Sequence, residues 1–140
     1  MKNFTRRLRA LYSPEQYHGW GKERQYFEGW YYKIINASED KAYAFIPGIA
    51  MGSNGKQHAF IQVMDGKKAT SSYIKFSTDE FRPDPSQFDL EIANNSFNQD
   101  SINLKLENIS GNLKFENQVK WPVKWNSAGI MGPYAFVPFM

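Results

Sequence analysis

Cysteine is absent from this chain of 140 residues. Disulfides and thiolate metal sites are therefore excluded. Histidine is almost as scarce, and His18 and His58 alone do not make a typical zinc site, so no metal is expected. A strong charge of one sign is missing too. Lys and Arg number 17 against 14 Asp and Glu, a net +3 scattered along the chain. That balance is too weak to point to nucleic acid. No apolar run approaches the roughly 18 residues of a spanning helix. The opening MKNFTRRLRALYSPEQ has basic residues with no apolar stretch behind them, so it does not read as a secretory signal. The expected location is cytoplasmic, and the sequons at Asn3, Asn36, Asn94 and Asn108 read as chance in an Asn-rich chain. Internal repeats, a nucleophile elbow, a metalloprotease helix and a dinucleotide fingerprint are all lacking. GIAMGSNGKQ imitates a phosphate loop, but its glycine spacing is wrong and Gln57 stands where Ser or Thr is needed. It reads as a hairpin loop.

What the chain does have is apolar and aromatic material. Hydrophobic residues make up 41% and aromatics 16%, which suits a dense core or a large apolar cavity. The length fits one domain. In residues 2–11, Phe4, Leu8 and Leu11 recur at helical spacing among Lys2, Arg6, Arg7 and Arg9. One reading is a peripheral membrane contact; the other is a flap packed on the domain. Residues 1–25 are taken as this N-terminal flap, part helical and part irregular.

From Tyr26 the sequence reads as short strands: YFEGWYYKII, KAYAFI, QHAFIQVM, ATSSYIKFS, QFDLEIA, SINLKLEN and NLKFENQ. Asp65-Gly66 offers a tight hairpin turn with positive φ at both central residues. Period-two alternation with frequent turns predicts an all-β antiparallel meander, closing as a barrel or stacking as a sandwich. A barrel or partial barrel over residues 26–140 is the expectation. Residues 119–140 are apolar and rich in Pro and Gly, and the end at Phe139-Met140 suggests that the chain is the first part of something longer.

Glu28 is the unusual residue. On a strand it shares a face with Trp30, Tyr32 and Ile34, while Phe27, Gly29, Tyr31, Lys33 and Ile35 share the other. Both faces are largely apolar, so the strand is expected to be covered on both sides. A carboxylate there is a protonated general acid, or else a structural group paired with a cation or with backbone. His58 alternates with Phe60 and Gln62, a face suited to a polar pocket or simply a strand end beside a loop. Trp121 and Trp125 bracket PVK, as packing residues or as the wall of a ligand cavity.

YHGWGKERQYFEGWYYKI, HAFIQVMDG, FDLEIANNSFNQDSINLKLEN and AGIMGPYAFVPFM, in that order, resemble the tocopherol cyclase family. Glu28-Gly29-Trp30-Tyr31 is also similar to an element of the carotenoid hydratases. The resemblance implies lipocalin-like barrels in tandem, of which this chain holds the first, and a cofactor-free chemistry that begins by protonating an isolated alkene. It implies Glu28 as proton donor, with His58 or a tyrosine accepting a phenol proton. Trp30, Tyr31 and Tyr32 would stabilise the cation, and Phe60, Gln62, Trp121 and Tyr134 would line a site for an apolar prenylated molecule. The expected function is cyclisation of a prenylated hydroquinone to a chromanol. The alternatives are a lipocalin-like module that binds a prenyl lipid without changing it, and an inactive fragment that aggregates through unpaired edges.

Overall fold

The computed structural model describes residues 15–120 together with Ser13 and Pro122. Ten short strands build two antiparallel sheets. The first sheet contains β1 (Tyr26–Gly29), β2 (Tyr32–Ile35), β3 (Ala42–Met51), β4 (Gln57–Asp65) and β5 (Thr70–Phe76). A single 3-10 turn, Thr78–Glu80, capped by Ser77, leads into the second sheet. That sheet is a meander of β6 (Phe81–Pro83), β7 (Asp89–Ile92), β8 (Asn95–Asn98), β9 (Ser101–Lys105) and β10 (Ser110–Lys114). Phe45, Ile49, Ala59 and Ile61 from the first sheet and Leu90, Ile92, Phe97 and Ile102 from the second share one core. The all-β antiparallel expectation holds. Closure into one continuous barrel is not seen: among the described residues the strands pair within two separate sheets.

β1 and β2 lie end to end against β3 in one register. Glu28 faces Ile49 and Tyr32 faces Phe45, so no residue is inserted between the two strands. Pro47 explains why they count as two. Trp30 N–H donates to the Pro47 carbonyl at 3.0 Å, but proline has no N–H to return the bond. The interruption is chemical, and the alternation of faces runs straight through it. Tyr26, Glu28, Trp30, Tyr32 and Ile34 turn toward the second sheet and are half-buried, whereas Phe27, Gly29, Tyr31, Lys33 and Ile35 are exposed. Among the described residues the two-sided cover expected for this strand is not seen: the second sheet lies on one side only.

Two local expectations are corrected. GIAM, assigned to a loop, is the end of β3, and only residues 52–56 form the hairpin loop. Gly48 belongs to the strand because the Phe60 ring lies across it. A Cβ there would meet the Glu28 carbonyl oxygen and come within 2.6 Å of Phe60 Cζ. The Asp65-Gly66 turn is longer than expected. Asp65 remains paired with Thr70, its carboxylate accepts the N–H groups of Lys67 and Lys68 at 3.0 Å, and the positive φ falls on Ala69. NNSFNQD, where the sequence reading named no strand, holds β8. Asn95 is buried, donates to the Ile92 carbonyl at 3.0 Å and accepts Lys105 N–H at 2.8 Å. A side chain that satisfies the backbone at both ends lets this polar strand lie inside the fold.

Gly48→Ala is expected to destabilise the protein by about 1–3 kcal/mol, the usual range for overpacking, because backbone and a buried ring must both move. Urea denaturation followed by tryptophan fluorescence measures it. An unchanged midpoint would mean that Phe60 does not occupy the space over Gly48.

Candidate functional site

Glu28 sits on the inner face of β1, and the chain before β1 folds back over it. Residues 15–25 are tied down at several points. Gln16 donates to the Ser86 carbonyl at 3.0 Å, Gln57 donates to the Glu23 carbonyl, and Trp30 Nε1–H donates to the Glu15 carbonyl at 2.6 Å. Tyr17 reaches the core and is buried. This path brings His18 onto Glu28. The His18 backbone N–H donates to Oε2 at 2.9 Å, and Tyr26 O–H donates to the same oxygen at 2.6 Å. His18 Nδ1 lies 2.7 Å from Oε1. Both carboxylate oxygens are engaged, and one proton separates two descriptions of the pair. It rests on the imidazole as an ion pair or on the carboxyl as a neutral acid.

Aromatic rings lie beside this cluster, which stays partly open to solvent: the His18 side chain is 32% exposed and that of Glu28 14%. The Tyr17 ring packs edge-on against Trp20 at 5.1 Å and against Phe81 at 5.2 Å, with Trp30 at 6.4 Å. Trp30 stacks on Phe88 at 5.4 Å. Further along, Tyr32 stacks on Phe88 and Phe115, and its hydroxyl donates to the Asn98 carbonyl at 2.9 Å. Burial, and then the charge of Glu28, push the Tyr17 phenol up to about 12. Burial likewise raises Tyr26, reinforced by its hydrogen bond to Glu28, and raises Tyr32, with Asp89 adding to the effect. These three phenols thus remain neutral donors beyond the ordinary tyrosine range.

The sequence placed Glu28 and His58 in one site, and the register separates them. Glu28 faces Ile49 and His58 faces Ala50, adjacent residues of β3, so the two side chains leave the sheet on opposite sides. His58, Phe60 and Gln62 do share a face, as their alternation predicted, but it is the outer one. There His58 Nε2 meets Tyr73 Oη at 2.9 Å, and Gln62 donates to Ser71 Oγ at 3.0 Å. Phe60 is 1% exposed, stacked between Phe27 at 5.5 Å and Tyr73 at 4.9 Å. Partial burial, with Lys75 nearby, lowers the His58 pKa. Tyr31 is also on this outer face, apart from Trp30 and Tyr32. Trp121, Trp125, Tyr134 and residues 2–11 lie outside the described residues.

Two features were missed. His18 is ten residues from Glu28 and reaches it through a chain reversal that no strand or helix period encodes. The second is an open apolar pocket of about 250 Å³ between the β2–β3 and β9–β10 hairpins, lined by Ile34, Tyr43, Phe45, Leu104, Ile109 and Leu113. Ile34 was legible as an inner-face residue. Leu104, Ile109 and Leu113 come from the β9–β10 hairpin of the other sheet, and proximity between such distant segments is not written in local alternation. Among the described residues no cluster of three or more His, Asp or Glu side chains has metal-binding geometry, and no helix is long and apolar enough to cross a membrane.

The raised phenols set an alkaline limit on stability. A group whose folded pKa exceeds its unfolded value stabilises the fold fully below the unfolded value and ceases to do so as pH passes the folded one. For Tyr17 that window runs from 10.0 to about 12, and Tyr26 and Tyr32 act in the same direction. The melting temperature is expected to fall steeply between those two pH values, and Tyr17→Phe to make the fall shallower. Calorimetry, with tyrosinate absorbance recorded in parallel, checks both. A flat melting temperature across that window would mean that the Tyr17, Tyr26 and Tyr32 hydroxyls are open to solvent.

No family model, curated protein or solved structure matches this chain.

Proposed function

We propose that the chain acts on a prenylated lipid in the manner that its resemblance to the tocopherol cyclases implies: it protonates an isolated alkene, and the resulting tertiary cation is captured within the same molecule. The single observation that carries this reading is the Glu28–His18 pair beneath the wall formed by Tyr17, Trp20 and Trp30. Protonating an alkene needs an acid of the right strength and the exclusion of water. In the neutral-acid form of the pair the proton lies on the carboxyl, so Glu28 Oε1 is the donor and His18 Nδ1 the group that returns a proton to it. The step balances without redox. The Glu28 proton adds to the less substituted alkene carbon, and the phenol oxygen bonds to the tertiary carbon. The phenol proton then passes to His18 and returns to Glu28. His18 thus fills the role that the sequence offered to His58. Indole and phenol faces near the developing cation each contribute roughly 0.5–2 kcal/mol.

The second reading, binding without chemistry, is favoured by the apolar pocket beside Ile34. Six residues of strand, roughly 20 Å at the usual rise, separate Ile34 from Glu28. A ligand seated only in that pocket would not meet the carboxyl group.

Incubation with a prenylated hydroquinone, followed by mass spectrometry and chromatography, separates the two. Formation of a chromanol of unchanged mass, reduced at least 100-fold by Glu28→Gln with ligand binding retained, is the result expected for a general acid. His18→Ala should lose turnover as well, whereas His58→Ala should keep it. Recovery of intact ligand, with affinity weakened by Ile34→Ser or Leu113→Ser and not by Glu28→Gln, would establish the binding module instead.

A further inference from the structure

The face of the first sheet turned away from the core is neither polar nor covered by any described element. Its rows follow from the register: Phe27, Ala50 and His58; Gly29, Gly48, Phe60 and Lys75; Ala44, Met64 and Ser71; Gln62 beside Tyr73. Tyr31, Lys33 and Ile35 continue the side begun by Phe27 and Gly29. Phe27 is 66% exposed, Tyr31 63% and Ile35 49%. The three recur at every fourth position of the edge pair β1–β2. They form a ridge of roughly 26 Å at the usual strand rise, with Lys33 between Tyr31 and Ile35. Tyr73 and Met64 are exposed behind it.

The charge pattern says what meets this face. Lys33 and Lys75 are its charged strand residues, and none of the strand positions facing this way is an Asp or Glu. A second copy docked through the same face would bring lysines toward lysines across a two-fold axis, with no carboxylate to receive them. An anionic bilayer suits both features at once. Exposed aromatic and aliphatic tips enter the boundary between headgroups and acyl chains, and lysines beside them lie along the apolar surface with their ammonium groups at the phosphates. We infer that the outer face of the β1–β5 sheet docks on an anionic lipid bilayer, led by the Phe27–Tyr31–Ile35 ridge and held electrostatically by Lys33 and Lys75. This stands independently of what happens at Glu28.

The test is co-sedimentation of the full chain with vesicles of phosphatidylcholine alone and of phosphatidylcholine mixed with phosphatidylserine. Binding is expected to the mixed vesicles and to weaken with salt. Lys33→Glu with Lys75→Glu should lower the partition coefficient by roughly 25-fold or more, at about fivefold for each lysine near an anionic surface. Tyr31→Ser with Ile35→Ser should lower it by at least about tenfold, from the apolar area removed. Phe27 is spared because it covers Phe60, and melting curves confirm that each variant is folded. Lys114→Glu, an exposed lysine on β10 in the other sheet, should leave binding within about twofold. Three results would overturn the inference. The face variants could bind as well as the parent, with binding lost instead on replacing Arg6, Arg7 and Arg9. Lys114→Glu could lose as much as a face lysine. Or light scattering could show a dimer that Tyr31→Ser with Ile35→Ser dissociates, which would make the face a contact between copies.

Discussion

The antiparallel pairing of Tyr26–Ile35 with β3 is the constraint on which the other features depend. Because the register is the same on both sides of Trp30, one choice of pairing fixes the face of ten consecutive residues. A shift by one position would carry Glu28, Trp30 and Tyr32 outward and bury Phe27, Tyr31 and Lys33. The carboxylate cluster would lose His18, and the core would have to accept a lysine. Register is held from within by Gly48, the strand position over which Phe60 can lie flat, and by the hydrogen bond from Trp30 to Pro47.

The two faces of this sheet then differ in kind. The inner face meets a second sheet, and its polar atoms are matched: Tyr32 to the Asn98 carbonyl, Trp30 to the Glu15 carbonyl, and Glu28 to the His18 N–H, the His18 ring and the Tyr26 hydroxyl. Among the described residues no buried side-chain polar atom lacks a hydrogen-bond partner. The outer face has its own aromatic stack, Phe27 on Phe60 on Tyr73, standing on glycine rather than on a core. Polar satisfaction inside and aromatic stacking outside let one thin sheet carry apolar residues on both sides without being a buried middle layer.

The alternation of short-period residues made the all-β class and most strands legible, and it assigned Glu28, Trp30, Tyr32 and Ile34 to one face correctly. Errors arose where a residue type has two uses. Glycine usually marks turns, whereas Gly48 lies within a strand and makes room for a ring. Asparagine usually caps turns, whereas the Asn95 amide bonds backbone groups inside the fold. The site was half visible. Glu28 stood out by its neighbours, but His18 could be joined to it only by knowing the path of residues 15–25. His58 was grouped with it because the parity of two separate strands cannot be compared until their common neighbour, β3, is in place.

Pro47 has one more consequence. A strand of ten residues normally leaves its sheet as a unit, since each ladder bond supports the next. Here the ladder is relieved of one bond at its midpoint, so the edge is fastened as two short zippers. Parting can begin at Tyr26 and halt at Trp30, with β2 still seated on Phe45 and Ala44. The first zipper carries the chain that brings His18 to Glu28. The fold therefore has a seam along which the carboxylate can be uncovered at a fraction of the cost of global unfolding, and slow amide exchange in β2 beside faster exchange in β1 would be its signature.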